Sequence, residues 1–232
     1  RSSDLTTAQE CNELTALADK QKLQLFVGHI FLYNAGVRAV KKILDSGDLG
    51  KIYYLHVTRT NLGPIRTDVS SLWDLAPHDL SIFKYWFNEM PNKVSAKGGC
   101  FLNNSNNLHD AVFATYTFPS NMMANLHVSW VNPKKVREIV VVGEKKMLVW
   151  NDLDLNNTVT IYDKNVSMKK IDENELMDTY LGFRAQVFEG DTHIPKIKLN
   201  EPLSAECDAF IQSLDNPSLS LSNGVDGMMV VS

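Results

Sequence analysis

The stretch SSLWDLAPHDLSIFKYWF, residues 70–87, decides how this chain is read. Leu72, Leu75, Leu80, Phe83 and Phe87 recur near helical spacing and predict a helix with an apolar stripe. Asp74 and His78 stand four residues apart, which puts both side chains on one face, one turn apart. A carboxylate held against an imidazole can set its tautomer, raise its pKa and move a proton. The neighbours are large and apolar, and a charge in such company needs a partner or a use. Pro77 removes one amide donor between the two, so the helix is expected to be irregular there. The competing reading is an ordinary hydrogen bond on a helix surface.

Working outward, residues 51–61 (KIYYLHVTRTN) form a β-rich run, and the loop LGPIRTD leads into the central helix. Beyond the helix the strands expected are 93–102, 110–118, 122–131, 136–142, 147–150 and 158–162, separated by Gly, Pro, Asn and Asp clusters. Val112, Ala114, Tyr116 and Phe118 alternate with polar residues, as do Met122, Ala124, Leu126, Val128 and Trp130. One face of that sheet is apolar and belongs under helices; the other is mixed and suits solvent or a subunit interface. The fold class read from this pattern is α+β: a largely antiparallel open β-sheet with helices packed on one face.

On the N-terminal side, residues 6–21 read as a helix with a capping box between Thr7 and Glu10. The apolar run 23–28 (LQLFVG) resembles the last strand of a parallel sheet. Asn34 can cap a helix over 35–45. Near the C-terminus, 201–214 is amphipathic, with Leu203, Cys207, Phe210, Ile211 and Leu214 sharing a face. Residues 163–200 are less regular and are expected to hold an extended excursion.

The totals bound the function. At 232 residues, 44% hydrophobic and 22% charged, the chain is that of an ordinary globular protein. Its net charge of −4 gives no reason to expect nucleic acid. No apolar run is long enough to span a membrane. Three widely spaced cysteines, Cys11, Cys100 and Cys207, point to reduced thiols and a cytoplasmic location, not to a disulfide framework or a zinc site. From the apolar run at residues 228–231, just before the last residue, and the absence of an initial methionine, both ends are expected to be cut.

Taken together, VGHIFLYNAGVRAVKKILDSGDLGKIYYL and RTNLGPIRTDVSSLWDLAPHDLSIF resemble the glucose–fructose oxidoreductase/inositol dehydrogenase/MocA (Gfo/Idh/MocA) family. The resemblance covers essentially the whole chain and is nearest to dehydrogenases of UDP-N-acetylglucosamine-type sugars. It implies two domains: residues 1–30 as the remnant of the end of a dinucleotide-binding (Rossmann) domain, and 31–232 as a substrate-binding and oligomerisation α/β domain. It implies NAD or NADP in the intact protein, and a homodimer or homotetramer through the open sheet face. It places His78 as the group that takes a proton from a sugar or nucleotide-sugar hydroxyl, with Asp74 orienting His78 or a sugar hydroxyl. Tyr33 would touch substrate or cofactor, or else stack its ring on the next helix, and His29 would lie near the cofactor or, the favoured reading, be a hydrogen-bonded core histidine. Arg59, Asn61 and Arg66 would contact substrate, an arginine suiting a diphosphate or a sugar carboxylate through paired donors; for Arg66 a surface salt bridge is the favoured alternative.

Two departures matter. The phosphate-binding GxGxxG of the family is nowhere in this sequence, and Ser2, Ser3 and Asp4 stand where the family has Glu-Lys-Pro with its proton-handling lysine. The chain alone is therefore expected to be inactive and to bind no cofactor tightly. The alternative is a non-catalytic, Rossmann-less binding or oligomerisation module. A metal-dependent hydrolase built on Asp74, His78 and Asp79 is disfavoured for want of a further His or Asp cluster, and no metal is expected.

Overall fold

A computed structural model describes residues 7–102, 107–170 and 183–232; residues 2–4 lie outside the described part. The chain opens with α1 (Ala8–Gln21), whose Thr7 cap and Glu10 exchange hydrogen bonds as the sequence predicts. Residues 23–28 do not lie in a sheet. With no parallel strand beside them among the described residues, they make one isolated bridge, Phe26 to Asn223. A 3₁₀ turn (Ile30–Tyr33) then leads into α2 (Ala35–Asp45), capped by Asn34, whose Oδ1 accepts from the amides of Gly36 and Val37 at 2.8 and 3.2 Å.

Next come β1 (Ile52–Leu62), α3 (Ser71–Phe87), β2 (Lys93–Gly99), β3 (Ala111–Thr117), β4 (Met123–Ser129), β5 (Val131–Gly143), β6 (Met147–Asn151), β7 (Val159–Lys170) and β8 (Phe183–His193). Helices α4 (Pro202–Asp215) and α5 (Gly224–Val231) close the chain. The eight strands form one sheet in the order β2-β3-β4-β1-β5-β6-β7-β8. Among the described residues only β1 and β4 pair in parallel; every other strand pairing is antiparallel. The fold is the expected α+β arrangement, an open and largely antiparallel sheet carrying helices on one face. The irregular excursion is a hairpin of β7 and β8, with residues 171–182 outside the described part.

Alternation along the strands sorts the residues between the two faces. Val112, Ala114 and Tyr116 of β3, Ala124, Leu126 and Val128 of β4, and Leu55 and Val57 of β1 are all buried under the helices. The opposite face carries the exposed Phe113, Met123 and Tyr54 among polar neighbours. Phe113 stacks on His127 of the next strand, with ring centroids 4.4 Å apart.

Helix α3 covers the centre of the apolar face. It runs unbroken across Pro77, so the expected irregularity is not seen. Its fully inward side is Ala76, Asp79, Ile82, Phe83 and Trp86, with Leu72, Leu75, Leu80 and Phe87 packed at the flanks. The buried stripe is thus turned relative to the predicted one, and an aspartate sits in the middle of it. On α4 the shared apolar face stands largely outward: Leu203, Ile211 and Leu214 are exposed, while Glu206 and Ser213 are buried.

Candidate functional site

Phe31, in the 3₁₀ turn, is the hub of a cleft between α3 and strands β1 and β5. The cleft encloses about 120 Å³ and is walled by Phe31, Arg59, Asn61, Asp74, His78 and Arg137, with Lys135 at its rim. The His78 ring meets Phe31 edge-on, centroids 5.1 Å apart at 61°. The Arg59 guanidinium lies over the same ring at 4.4 Å, and that of Arg137 at 5.8 Å.

Helical spacing does bring Asp74 and His78 to one cleft, yet the carboxylate is engaged elsewhere. Asp74 Oδ1 accepts from Arg66 Nη1 at 3.1 Å, and Oδ2 accepts from the Trp130 indole N–H at 3.2 Å. The expected rise in the imidazole pKa is reversed. Burial pushes His78 down to about 3, with the positive charges of Arg59 and Arg137 adding to it. His78 is therefore a neutral imidazole with a free lone pair at neutral pH.

Arg59 follows Leu55 and Val57 in the alternation of β1 and so points inward, where it is 4% exposed. A buried cation needs a counter-ion. Asp79, one residue after His78 and 1% exposed, supplies it through a two-pronged contact: Arg59 Nε donates at 2.8 Å and Nη2 at 2.7 Å. Directly opposite Arg59 on β5 lies Arg137. Its Nη1 donates to Asp152 at 3.1 Å, and Asp152 also accepts from Asn34 Nδ2 at 2.9 Å, which ties the arginine to the cap of α2.

The remaining sequence candidates separate. Asn61 lines the cleft; its Nδ2 donates to the Gly63 carbonyl, while its Oδ1 is buried without a partner. Arg66 bridges Asp68 and Asp74, and its hydrogen bonds to Asp68 hold that carboxyl down at about 2. Tyr33 is 1% exposed and stands away from the cleft, stacked on Phe26, covered by Arg38 and bonded through its hydroxyl to the amide of Leu221. His29 lines a separate, mostly apolar cavity of about 370 Å³ between α1, α3 and α5. Both its ring nitrogens are buried without partners, and burial lowers its pKa to about 4. Among the described residues no group of three or more His, Cys, Asp or Glu is placed to hold a metal ion.

Sequence reasoning missed Phe31, Lys135, Arg137 and Trp130, and named Asp79 only in the disfavoured metal reading, not as the partner of Arg59. The signal for Asp79 was available: Arg59 sits on the apolar register of β1, so an acid had to meet it. Nothing local marked Arg137, because its place in the cleft depends on the pairing of β1 with β5.

Comparison with known proteins bears on the fold. Residues 37–149 match the profile described as GFO/IDH/MocA C-terminal domain. A curated 2,7-anhydro-N-acetylneuraminate hydratase from Mediterraneibacter gnavus is 24% identical over 102 residues, covering 39% of this chain and 27% of that protein. The structure of UDP-N-acetylglucosamine 3-dehydrogenase from Acidithiobacillus ferrooxidans superposes with a TM-score of 0.72 at 22% identity, over 99% of this chain and 65% of that one. The WlbA dehydrogenase from Bordetella pertussis, solved with NADH and UDP-GlcNAcA, superposes with a TM-score of 0.70 at 16% identity, over 99% of this chain and 64% of that one. The chain spans less than two thirds of the length of each of these proteins. Residues 37–149 are thus similar to the GFO/IDH/MocA C-terminal domain, and the chain shares its fold with solved oxidoreductases.

Proposed function

We propose that the chain is the substrate-binding part of an NAD(P)-dependent oxidoreductase that moves hydride between a nicotinamide and a hydroxyl of a sugar or nucleotide sugar. The observation that carries this reading is the cleft in which a neutral His78 and the Asp74 carboxylate face the same small space. A neutral imidazole is the form that can take a proton from an alcohol. Asp74, held from behind by Arg66 and Trp130, keeps a fixed acceptor for a neighbouring hydroxyl. Asn61 offers a second acceptor through its unpaired Oδ1. Arg59 backs the site as a buried cation neutralised by Asp79.

When bound, NAD(P) supplies the hydride acceptor. The fit of this chain to that group is partial. His29 has two unpartnered nitrogens in an apolar cavity, where a bound ligand would satisfy one of them. No GxGxxG phosphate cradle occurs in the sequence. Residues 1–30 are read as the end of a dinucleotide-binding domain and 31–232 as the substrate and oligomerisation domain. Leu14 and Leu17 of α1 and Leu203, Ile211 and Leu214 of α4 are exposed, as surfaces that pack against a further domain would be. The open sheet face with Tyr54, Phe113 and Met123 is the surface for a homodimer or homotetramer. Three free thiols fit a reducing, cytoplasmic setting. Among the described residues no helix is long and apolar enough to cross a membrane.

The test is an NAD(P)H absorbance assay on the full-length gene product with UDP-N-acetylglucosamine and related free sugars. Substrate-dependent NAD(P)+ reduction is expected. Binding of those sugars without any redox turnover would instead favour the non-catalytic module.

A further inference from the structure

We propose that His127 gates self-association of this chain: a second copy docks on the open sheet face in one register, His127 against His127, while that imidazole is uncharged, and leaves when it is protonated. The inference rests on the reading of that face as the surface for a homodimer. It adds how the copies meet and what separates them.

One row of residues across the sheet carries it. Strand pairing sets Lys97 beside Phe113, Phe113 beside His127, His127 beside Thr58 and Thr58 beside Glu138. Their neighbours along the strands, Val57, Val112, Leu126 and Ile139, are buried under the helices, so by alternation the row stands on the open face. It has a cation at one end, an acid at the other, and an imidazole midway, two strands from each. Such a row is complementary to its own copy turned over. A twofold axis parallel to β4 and passing over His127 exchanges the ends: Lys97 of each copy meets Glu138 of the other, Phe113 meets Thr58, and His127 meets its own image. Lys97 is exposed and has no carboxylate partner among the described residues, while Glu138 accepts through Oε2 from Asn151 at 3.3 Å and keeps its other oxygen for a cation. Eight strands at about 4.8 Å each and about 3.3 Å per residue make a face on the order of 800 Å², what one partner buries in a stable interface. A second copy is the partner that this antisymmetric charge pattern fits.

The imidazole on the axis is the sensitive point. His127 is half-buried and stacks nearly flat on Phe113, at 12°. Burial, and then the nearby His56, push its pKa below the ordinary 6.5. The charged and titratable groups around it on this face are His56 on β1, Lys97 beyond Phe113 on β2 and Glu138 beyond Thr58 on β5. Neither adjoining strand sets an acid beside it to hold a proton in place. A docked copy buries the ring further and brings a second imidazole against it, so the docked state takes the neutral form. Protons then bind the free copy and not the docked one. Association is full above pH 6.5 and weakens as pH falls below it.

The experiment is sedimentation velocity of the full-length protein over a concentration series at pH 7.5 and pH 5.5, with circular dichroism confirming the fold at both. The Kd for self-association is expected to rise at least about tenfold at pH 5.5. His127→Gln is expected to associate at pH 7.5 and to lose most of that rise. Lys97→Glu is expected to weaken association at pH 7.5 at least about tenfold, and Lys97→Glu/Glu138→Lys to restore it to within about threefold. A Kd equal at the two pH values, or a rise unchanged in His127→Gln, overturns the gate. A double charge reversal no better than the single one overturns the register. Both results leave the face standing as an interface. A protein that is monomeric at both pH values removes the sheet-face reading, and this inference with it.

Discussion

The imidazole of His78 rests edge-on against Phe31, at 5.1 Å, while the carboxylate of Asp74 one turn earlier is drawn to Arg66 and Trp130. The two catalytic candidates share a cleft without sharing a proton. A neutral base next to a fixed acceptor is suited to an alcohol that presents one hydroxyl to each.

The buried histidines make stability pH-dependent in a defined direction. His29 and His78 have folded pKa values of about 4 and about 3, below the usual 6.5. The unfolded chain binds protons that the folded chain does not, so stability is full above pH 6.5 and is lost as pH falls toward those folded values. Each group contributes up to about 1.4 kcal/mol per pH unit. Urea unfolding at pH 7 and pH 4.5 is expected to show a lower midpoint at 4.5, and the double variant His29→Gln/His78→Gln is expected to flatten the difference. An unchanged pH slope in that variant would assign it elsewhere.

The Arg59–Asp79 pair is expected to be structural. Asp79→Asn or Arg59→Met alone leaves a buried charge unpaired and is expected to cost about 3–5 kcal/mol. The double variant Arg59→Met/Asp79→Leu is expected to cost less than either single change. Denaturant melts of the three variants check this, and a single-variant loss below about 1 kcal/mol would contradict the burial argument.

Asp74→Asn behaves differently. The side chain is 26% exposed, and its pair with Arg66 is partly solvated, so the stability change is expected to stay within about 1 kcal/mol. Turnover of the full-length protein is expected to fall on the order of tenfold or more, because the acceptor for the second hydroxyl is weakened. Equal loss of thermal stability and activity would mark Asp74 as structural.

The chain alone is expected to bind NADH weakly, since it has no glycine-rich loop for the pyrophosphate. Calorimetric titration is expected to show no saturation below about 1 mM. A micromolar dissociation constant would overturn the domain assignment of residues 1–30.

Period-two and helical patterns made much of the fold legible. The alternation around Ala114 and Leu126 gave the covered face of the sheet, and Asn34 and Thr7 gave two helix starts, because each of these signals is local. The parallel pairing of β1 with β4 was not legible, since it joins strands far apart in sequence. The run 23–28 has the apolar composition of a buried strand but has no parallel neighbour among the described residues. At the site, the helical spacing of Asp74 and His78 put both in the cleft. It could not show that Trp130, at the end of β4, would take the carboxylate, nor that β5 would line up Arg137 against Arg59.

The central claim is that His78 takes the proton of the reacting hydroxyl. Its most direct test is the kcat of His78→Ala in the full-length protein, measured beside the Kd for substrate. A fall in kcat on the order of a hundredfold or more, with Kd changed by less than about threefold, is the expected result. A kcat equal to that of the wild type would remove His78 from the chemistry and leave the cleft as a binding site alone.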